Sequence, residues 1–140
     1  MIKEDTLLLI QIDGQTNWTK EESDLNQSRI GEYSGTVKNG LPHGQGQICY
    51  SHGGKYIGSW KDGKRNGLGT YTYSDGRVST GIYKNGKKYG NMKIKFPKGD
   101  TYEGDFINGS PSGRFIFTNA KGEISEVDFK RLINLSMKKE

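Results

Sequence analysis

Two stretches of the chain come close to a phosphate-binding loop. Gly58-x-x-x-x-Gly63-Lys64 and Gly81-x-x-x-x-Gly86-Lys87 carry the glycines and the lysine that such loops use to cradle nucleotide phosphates. Both lack the Ser or Thr that should hold magnesium, because Arg65 and Lys88 stand at that position. The glycines also fall where hairpin turns are expected, not at a strand-to-helix junction. We therefore interpret these stretches as structural glycines beside surface lysines.

Residues that could bind zinc or act as a nucleophile are few and scattered. His43 and His52 are expected on different turns, and Cys49 is expected to face outward from its strand. A zinc site needs three or four converging ligands, and a catalytic thiolate needs a neighbouring base. The acids of this region, such as Asp100 and Glu103, are expected in turns or facing solvent. The sequence thus predicts no catalytic residues, no metal and no cofactor.

The elements that carry these residues follow from a repeat of 23 residues. Sixteen of the 21 glycines lie on four positions of that repeat. Such a period marks an array in which each unit buries its apolar face by stacking on its neighbours. We number the four copies one to four, over residues 33–55, 56–78, 79–101 and 102–124. The four columns are Gly35, Gly58, Gly81 and Gly104; Gly40, Gly63, Gly86 and Gly109; Gly44, Gly67, Gly90 and Gly113; and Gly53, Gly76, Gly99 and Gly122.

Each copy reads as a β-hairpin. In copy two, residues 56–61 and 67–73 show the period-two alternation of strands, in which every second residue shares a face. Asp62-Gly63 lies between the two segments as a tight turn. Glycines on the return strand are expected to leave room for rings of the facing strand, which accounts for glycine inside a strand. One aromatic column should then form a ladder along the array: Val37, Trp60, Tyr83 and Phe106.

The segment Tyr56-Ile57-Gly58-Ser59-Trp60-Lys61-Asp62-Gly63, followed by Gly67-Leu68-Gly69, resembles the membrane occupation and recognition nexus (MORN) repeat. The resemblance covers residues 33–124 in four tandem copies. It implies an all-β fold, an elongated antiparallel β-hairpin solenoid. It also implies a non-catalytic role as a scaffold, a dimerisation module or a membrane-associated tether, in some members beside an enzyme domain.

Copies three and four depart from this pattern. Ser79 replaces the leading tyrosine of copy three, and Met92 replaces its second paired glycine. In copy four, Phe115 stands at that glycine and Asn119 at the apolar position after it. The larger residues should fill the trough near the C-terminal end. We expect any binding groove to lie near copies one and two.

The flanks do not match the repeat. In residues 1–32, Thr6 to Ile12 should form a strand that covers the edge of the first hairpin. Thr19-x-x-Glu22 has the form of a helix capping box for a short helix through about Leu25, although an acidic linker fits equally. In residues 125–140 we expect a brief strand followed by a short C-terminal helix as a cap. Ser125, Val127 and Phe129 continue the phase of the repeat and could supply that strand. Ser125-x-x-Asp128 could equally cap a helix with four apolar residues on one face: Phe129, Leu132, Ile133 and Met137.

Composition limits the cellular compartment in which we expect the protein and the kinds of partner it could bind. No apolar run reaches the length of a membrane span, and Leu7–Ile10 is too short for a signal peptide. We expect an intracellular, cytoplasmic protein that can associate with membranes. Residues 1–32 carry a net charge of −4, whereas residues 33–124 carry +8. A basic array attracts acidic lipids, nucleic acid or acidic proteins.

Two functional hypotheses follow, with a regulatory module of a larger enzyme as a third. A protein partner, peptide or helix, would bind along an aromatic face: Tyr33, Tyr56, Trp60, Tyr83, Tyr102 and Phe106. These rings could instead be core. Alternatively, a basic face would bind acidic phospholipid membranes or an acidic partner: Lys61, Lys64, Arg65, Lys84, Lys87 and Lys88. An unpaired terminal strand could also support a homodimer, and nucleic acid is the least favoured partner.

Overall fold

The computed structural model describes residues 3–20 and 28–128. These residues form eleven antiparallel strands. The strands are β1 (Lys3–Ile12), β2 (Gln15–Thr19), β3 (Ser28–Lys38), β4 (Leu41–Tyr50), β5 (Lys55–Lys61), β6 (Lys64–Thr72), β7 (Val78–Lys84), β8 (Lys87–Lys95), β9 (Thr101–Ile107), β10 (Ser110–Thr118) and β11 (Ile124–Asp128).

All eleven strands belong to one sheet, in the order β11-β10-β9-β8-β7-β6-β5-β4-β3-β1-β2. From β3 onward each strand pairs with its neighbour in sequence, so each copy of the repeat contributes one hairpin. The tight turns form because the residue before each turn glycine accepts a positive φ. In copy two, for example, Asp62 has φ 49° and Gly63 has φ 84°. Asn39, Asn85 and Asn108 adopt the same conformation.

The N-terminal residues form a hairpin of their own. β1 pairs with β3 along nine residues, and β2 pairs with the opposite edge of β1. Asp13 has φ 50° and Gly14 has φ 80°, so their turn matches those of the repeats. The predicted helix from Thr19 to about Leu25 falls mostly on residues 21–27, outside the described residues. Thr19 itself is the last residue of β2.

One face of the sheet carries the core, and we call it the ring face. It buries the large side chains: Leu7, Tyr33, Val37, Ile48, Tyr56, Trp60, Tyr71, Tyr73, Tyr83, Met92, Ile94, Tyr102, Phe106 and Phe115. The opposite, outer face leaves apolar residues in solvent, such as Leu68 and Ile116. The sheet curls toward the ring face, because Trp18 on β2 contacts Trp60 on β5 although three strands lie between them.

The prediction of a C-terminal helix as a cap is wrong. Ser125 and Asp128, the alternative cap of such a helix, lie within β11, and residues 3–20 and 28–128 contain no helix. The segment stays extended because it completes a ladder with β10. Val127 lies opposite Phe115 and packs against the core, and Ser125 lies opposite Phe117. The rest of the predicted helix falls on residues 129–140, outside the described residues.

Candidate binding groove

The six rings predicted to contact a partner all lie on the ring face and are buried. Tyr33 and Tyr56 are fully covered, and even the most accessible of the six, Tyr102, is only 8% exposed. The other three are Trp60, Tyr83 and Phe106. These rings therefore build the core and shape the surface above it. A partner can reach only their edges unless side chains move.

The rings of copies one and two form a continuous edge-to-face chain. Trp60 contacts Tyr33 and Tyr56 with ring centroids 5.2 and 5.3 Å apart, and Tyr56 contacts Tyr83 at 5.1 Å. The expected ladder along a single column is replaced by an alternation between the leading tyrosine and the later ring of each copy. Beyond Tyr83 the chain stops, and Phe106 contacts Phe115 of its own copy instead.

Glycines on the return strands make room for the leading tyrosines, as the sequence indicated. A Cβ added at Gly69 would lie 2.3 Å from the Tyr56 hydroxyl oxygen, and one at Gly46 would lie 2.2 Å from that of Tyr33. The tyrosine hydroxyls then reach main-chain acceptors. Tyr33 Oη donates to the Thr36 carbonyl at 2.6 Å, and Tyr56 Oη donates to the Ser59 carbonyl at 2.8 Å.

A groove opens on the ring face where the N-terminal hairpin approaches copies one to three. It has a volume of about 310 Å³. Leu9 and Trp18 form one side, and Tyr50, Trp60 and Arg65 lie among the residues of the other. Trp18 is held edge-on against Tyr33 and Trp60, each with centroids 6.0 Å apart. The N-terminal segment thus builds a wall of the groove as well as covering β3.

The ring face also carries three cations. The Arg65 guanidinium carbon lies 5.3 to 5.7 Å from the ring centroids of Tyr56, Tyr71 and Tyr83, and Arg65 Nη2 donates to the Gly86 carbonyl at 2.6 Å. At these distances a cation is attracted by the face of each ring. Arg65 therefore lies over the rings of copies two and three instead of at the rim of the face.

The other two cations surround Tyr73. Arg77 lies 4.2 Å from the centroid of that ring and forms an ion pair with Asp75 at 2.8 Å. Lys88 is 8% exposed, donates to the Tyr73 hydroxyl, and lies 5.0 Å from the Tyr73 centroid and 5.9 Å from that of Phe106. Positive charge is therefore held against the aromatic core of copies two to four.

Burial changes the acidity of these tyrosines. Desolvation raises the pKa of Tyr56 to about 12, although the Arg65 charge opposes the rise. Desolvation also raises the pKa of Tyr83, with a further rise from Tyr73 and a lowering by Arg65. The pKa of Asp75 is lowered, chiefly because its carboxylate accepts a hydrogen bond from the Arg77 backbone N–H. At neutral pH the tyrosine hydroxyls are therefore protonated donors.

The structure divides the six predicted basic residues between two surfaces. Lys61, Lys64, Lys84 and Lys87 are exposed near the hairpin turns, whereas Arg65 and Lys88 turn toward the rings. A second depression of about 660 Å³ lies between the turns of copies two and three. Lys61, Lys64 and Lys84 line it together with Ile82 and Tyr89, and Lys84 Nζ lies 4.9 Å from the Tyr89 ring centroid.

Several groove residues were not predicted from the sequence, above all Trp18, Leu9 and Tyr50. A signal for the first two was present. Asp13-Gly14 is the same kind of turn dipeptide that marks every repeat hairpin, and it follows a run of strand-forming residues. Nothing local marked Trp18 as a contact of Trp60, because that contact depends on the curl of five strands.

Comparison with known proteins identifies the repeat. The model of the MORN repeat family matches residues 33–55, 56–76 and 102–119. The matched segments leave out copy three, where Ser79 and Met92 depart from the pattern. No curated protein gives a significant match to the chain. Among the described residues, no helix is long and apolar enough to cross a membrane.

Proposed function

Since the chain is a MORN-repeat protein, we propose that it is a scaffold that binds a segment of a protein partner in the groove on its ring face. MORN repeats generally take part in interactions with proteins or membranes, and the family is typically non-catalytic. The observation that carries the proposal is the groove lined by Trp18 and Trp60, because it combines aromatic walls with the Arg65 cation. Aromatic residues and arginine contribute most to protein–protein binding energy.

Shape supports a segment over a folded domain as the occupant. A volume of about 310 Å³ holds a few side chains but not a domain surface. The walls come from two parts of the chain, the N-terminal hairpin and the repeats, so a segment would contact both at once. Its apolar side chains would pack on Trp18 and Tyr50, while its backbone or polar groups would meet Arg65.

The test is selection of peptides followed by a matched pair of variants. Peptides selected from a random library displayed on phage are measured against the intact chain, Tyr50→Ala and Tyr89→Ala. Both variants remove a tyrosine, but Tyr50 lines the groove and Tyr89 lies on the outer side, 44% exposed. We expect Tyr50→Ala to weaken binding about tenfold or more, which is the effect of losing one well-packed anchor, and Tyr89→Ala to change it less than about twofold.

Three results would contradict the proposal. One is the selection of no peptide by the folded chain, and another is unchanged binding by Tyr50→Ala. The third is loss of binding in Tyr89→Ala alone, which would move the site to the outer side. Circular dichroism and thermal unfolding of each variant show whether its fold is intact.

A second candidate is a tether to acidic membranes through the exposed lysines. It is favoured by Lys61, Lys64 and Lys84, which surround exposed Ile82 and Tyr89, because apolar and basic groups side by side suit a lipid headgroup region. Co-sedimentation with phosphatidylserine vesicles at physiological salt tests it. Binding by the intact chain that disappears when Lys61, Lys64, Lys84 and Lys87 are changed to Gln supports the tether, and no sedimentation rejects it.

A further inference from the structure

One position of the repeat carries charge only in the two middle copies. The second residue after the turn glycine is Pro42 in copy one, Arg65 in copy two, Lys88 in copy three and Pro111 in copy four. The register places Arg65 opposite Trp60 and Lys88 opposite Tyr83. Both side chains therefore emerge on the ring face at equivalent points of neighbouring copies, with prolines at the two ends of the column.

Lys88 is a covered cation without a carboxylate. No ion pair joins it to any acid within residues 3–20 and 28–128, and its contacts are the Tyr73 hydroxyl and the rings of Tyr73 and Phe106. Arg77, covered to the same degree, has Asp75 beside it. Removing an ammonium from water is costly unless an opposite charge accompanies it. An anion arriving at Lys88 would supply the missing charge.

A hydrogen-bond donor on the residue paired with Lys88 is also unused. The Tyr83 hydroxyl is buried and has no hydrogen-bond partner among the described residues. It is the one buried side-chain polar group in that part of the chain without such a partner. Tyr83 lies on β7, opposite Lys88 on β8, and its ring is 5.4 Å from the Arg65 guanidinium carbon. Burial raises the pKa of this hydroxyl, which keeps its proton available for donation.

The backbones of Arg65 and Lys88 are separated by a regular spacing along the array. Arg65 is on β6 and Lys88 is on β8, with β7 between them. Two strand spacings amount to about 10 Å. Acids seven positions apart on an α-helix are about 10.5 Å apart on one face, and acids three positions apart in a polyproline helix are about 9.3 Å apart. Either arrangement would place one carboxylate on each cation.

We propose that the segment bound on the ring face is acidic and places two carboxylates about 10 Å apart, one at Arg65 and one at Lys88, with the Tyr83 hydroxyl as a further donor. This inference rests on the proposed function, since it names the chemistry of the segment that the groove binds. Hydrogen bonds between charged groups are the strong ones, so the acids would fix the register of the segment.

Library peptides selected on the intact chain are the probe. We expect Asp or Glu pairs at spacings of three or seven to be enriched relative to the unselected library. For one enriched peptide, Lys88→Met should weaken binding about tenfold, whereas Lys84→Met should change it less than about twofold. Lys84 is the matched control because it has the same charge and length but is exposed near the turn. Methionine preserves the packing of the aliphatic stem, so Lys88→Met should fold.

A peptide variant completes the test. Replacing the acid assigned to Lys88 by Gln should weaken binding to the intact chain about tenfold and leave binding to Lys88→Met nearly unchanged, because the pair has already been broken. Additive losses in this double-mutant cycle would show that the acid and Lys88 do not meet, and would overturn the inference.

Other outcomes separate this inference from the proposed function. The selected peptides could depend on Tyr50, carry no acidic pair and bind Lys88→Met as tightly as the intact chain. That result would overturn the proposal of an acidic segment but would agree with binding in the groove. Peptides indifferent to Tyr50→Ala would overturn both. Phosphatidylserine vesicles that bind through Lys88 while no acidic peptide does would assign the cations to lipid headgroups and reject the peptide.

Discussion

Copies two and three have the same length, the same kind of turn and nearly the same strand pairing, yet they fill their interiors in opposite ways. In copy two the large residue is Tyr56 on the first strand, and Gly69 on the return strand leaves space for it. In copy three the large residue is on the return strand: Met92 lies over Gly81, where an added Cβ would be 2.4 Å from the Met92 sulfur. Ser79 then replaces the leading tyrosine.

Copy four combines features of both. Phe115 covers Gly104, so that an added Cβ there would lie 2.6 Å from the ring. Its leading residue is still a tyrosine, but Tyr102 packs against Phe96 and Phe117. The hairpin framework therefore requires one large side chain over a glycine in each copy and accepts it from either strand. The choice changes the surface, because copies one and two keep a chain of linked rings below the groove.

The largest effect should come from emptying the interior of copy four. Phe115→Ala removes a fully buried ring from above Gly104, and we expect a loss of about 3–5 kcal/mol in the free energy of unfolding. Denaturant unfolding measures it. Ile116→Ala, one residue away on the outer face and 50% exposed, is the control and should cost less than about 1 kcal/mol. Equal losses would mean that the ring is not what fills this copy.

Overfilling copy two should have the next largest effect. Gly69→Ala places a methyl group 2.3 Å from the Tyr56 hydroxyl, so the ring must leave its position, at a cost of about 3 kcal/mol. Thr72→Ala on the exposed side of the same strand should stay within about 0.5 kcal/mol. A stable Gly69→Ala protein with an unshifted melting temperature would remove the steric reason for this glycine.

Giving copy three the leading tyrosine and the return-strand glycine of copy two tests the comparison directly. Ser79→Tyr should overfill the interior and Met92→Gly should empty it, each at a cost of about 2–3 kcal/mol. The double variant should cost about 2 kcal/mol less than the sum of the two, since the new tyrosine can occupy the space left by methionine. Urea unfolding of all four proteins provides the cycle. Strict additivity would show that the two positions do not share one space.

The smallest effect concerns pH. The pKa of Tyr56 is raised to about 12 in the folded chain, while an unfolded tyrosine ionises near 10. The stability from the neutral hydroxyl is therefore complete below pH 10 and declines as pH rises toward 12, by about 1.4 kcal/mol per pH unit. Unfolding free energies at pH 9, 10 and 11 should show a shallower decline for Tyr56→Phe than for the intact chain. Identical slopes would contradict the assignment to this hydroxyl.

The strands and turns could be predicted because they depend on local residues. Asn39-Gly40 and Asp62-Gly63 specify tight turns, and period-two alternation specifies which residues share a face. The ring chain was only partly predictable. Alternation identified Tyr56 and Trp60 as neighbours on one face, but the contact between Trp60 and Tyr33 of the preceding copy depends on the register between strands.

The orientation of Arg65 shows why the remaining features of the ring face could not be predicted from the sequence. The register of each repeat hairpin shifts near its turn, between Gly58 and Trp60 in copy two. The second position after the turn glycine therefore faces the rings, although alternation cannot be carried through such a shift. Lys88 follows the same rule one copy later. The C-terminal helix was a wrong prediction for a related reason, since the start of that segment pairs with β10, where Val127 lies opposite Phe115.

The order of the strands in the sheet has a consequence for folding kinetics. Apart from the contact of β1 with β3, every pairing joins consecutive strands, and most loops between them are two to four residues long. Closing so short a loop costs little chain entropy, and sheets assembled from local contacts form faster than those that bring distant segments together. Each hairpin can thus form as soon as its own residues are available, and the neighbouring hairpin extends it.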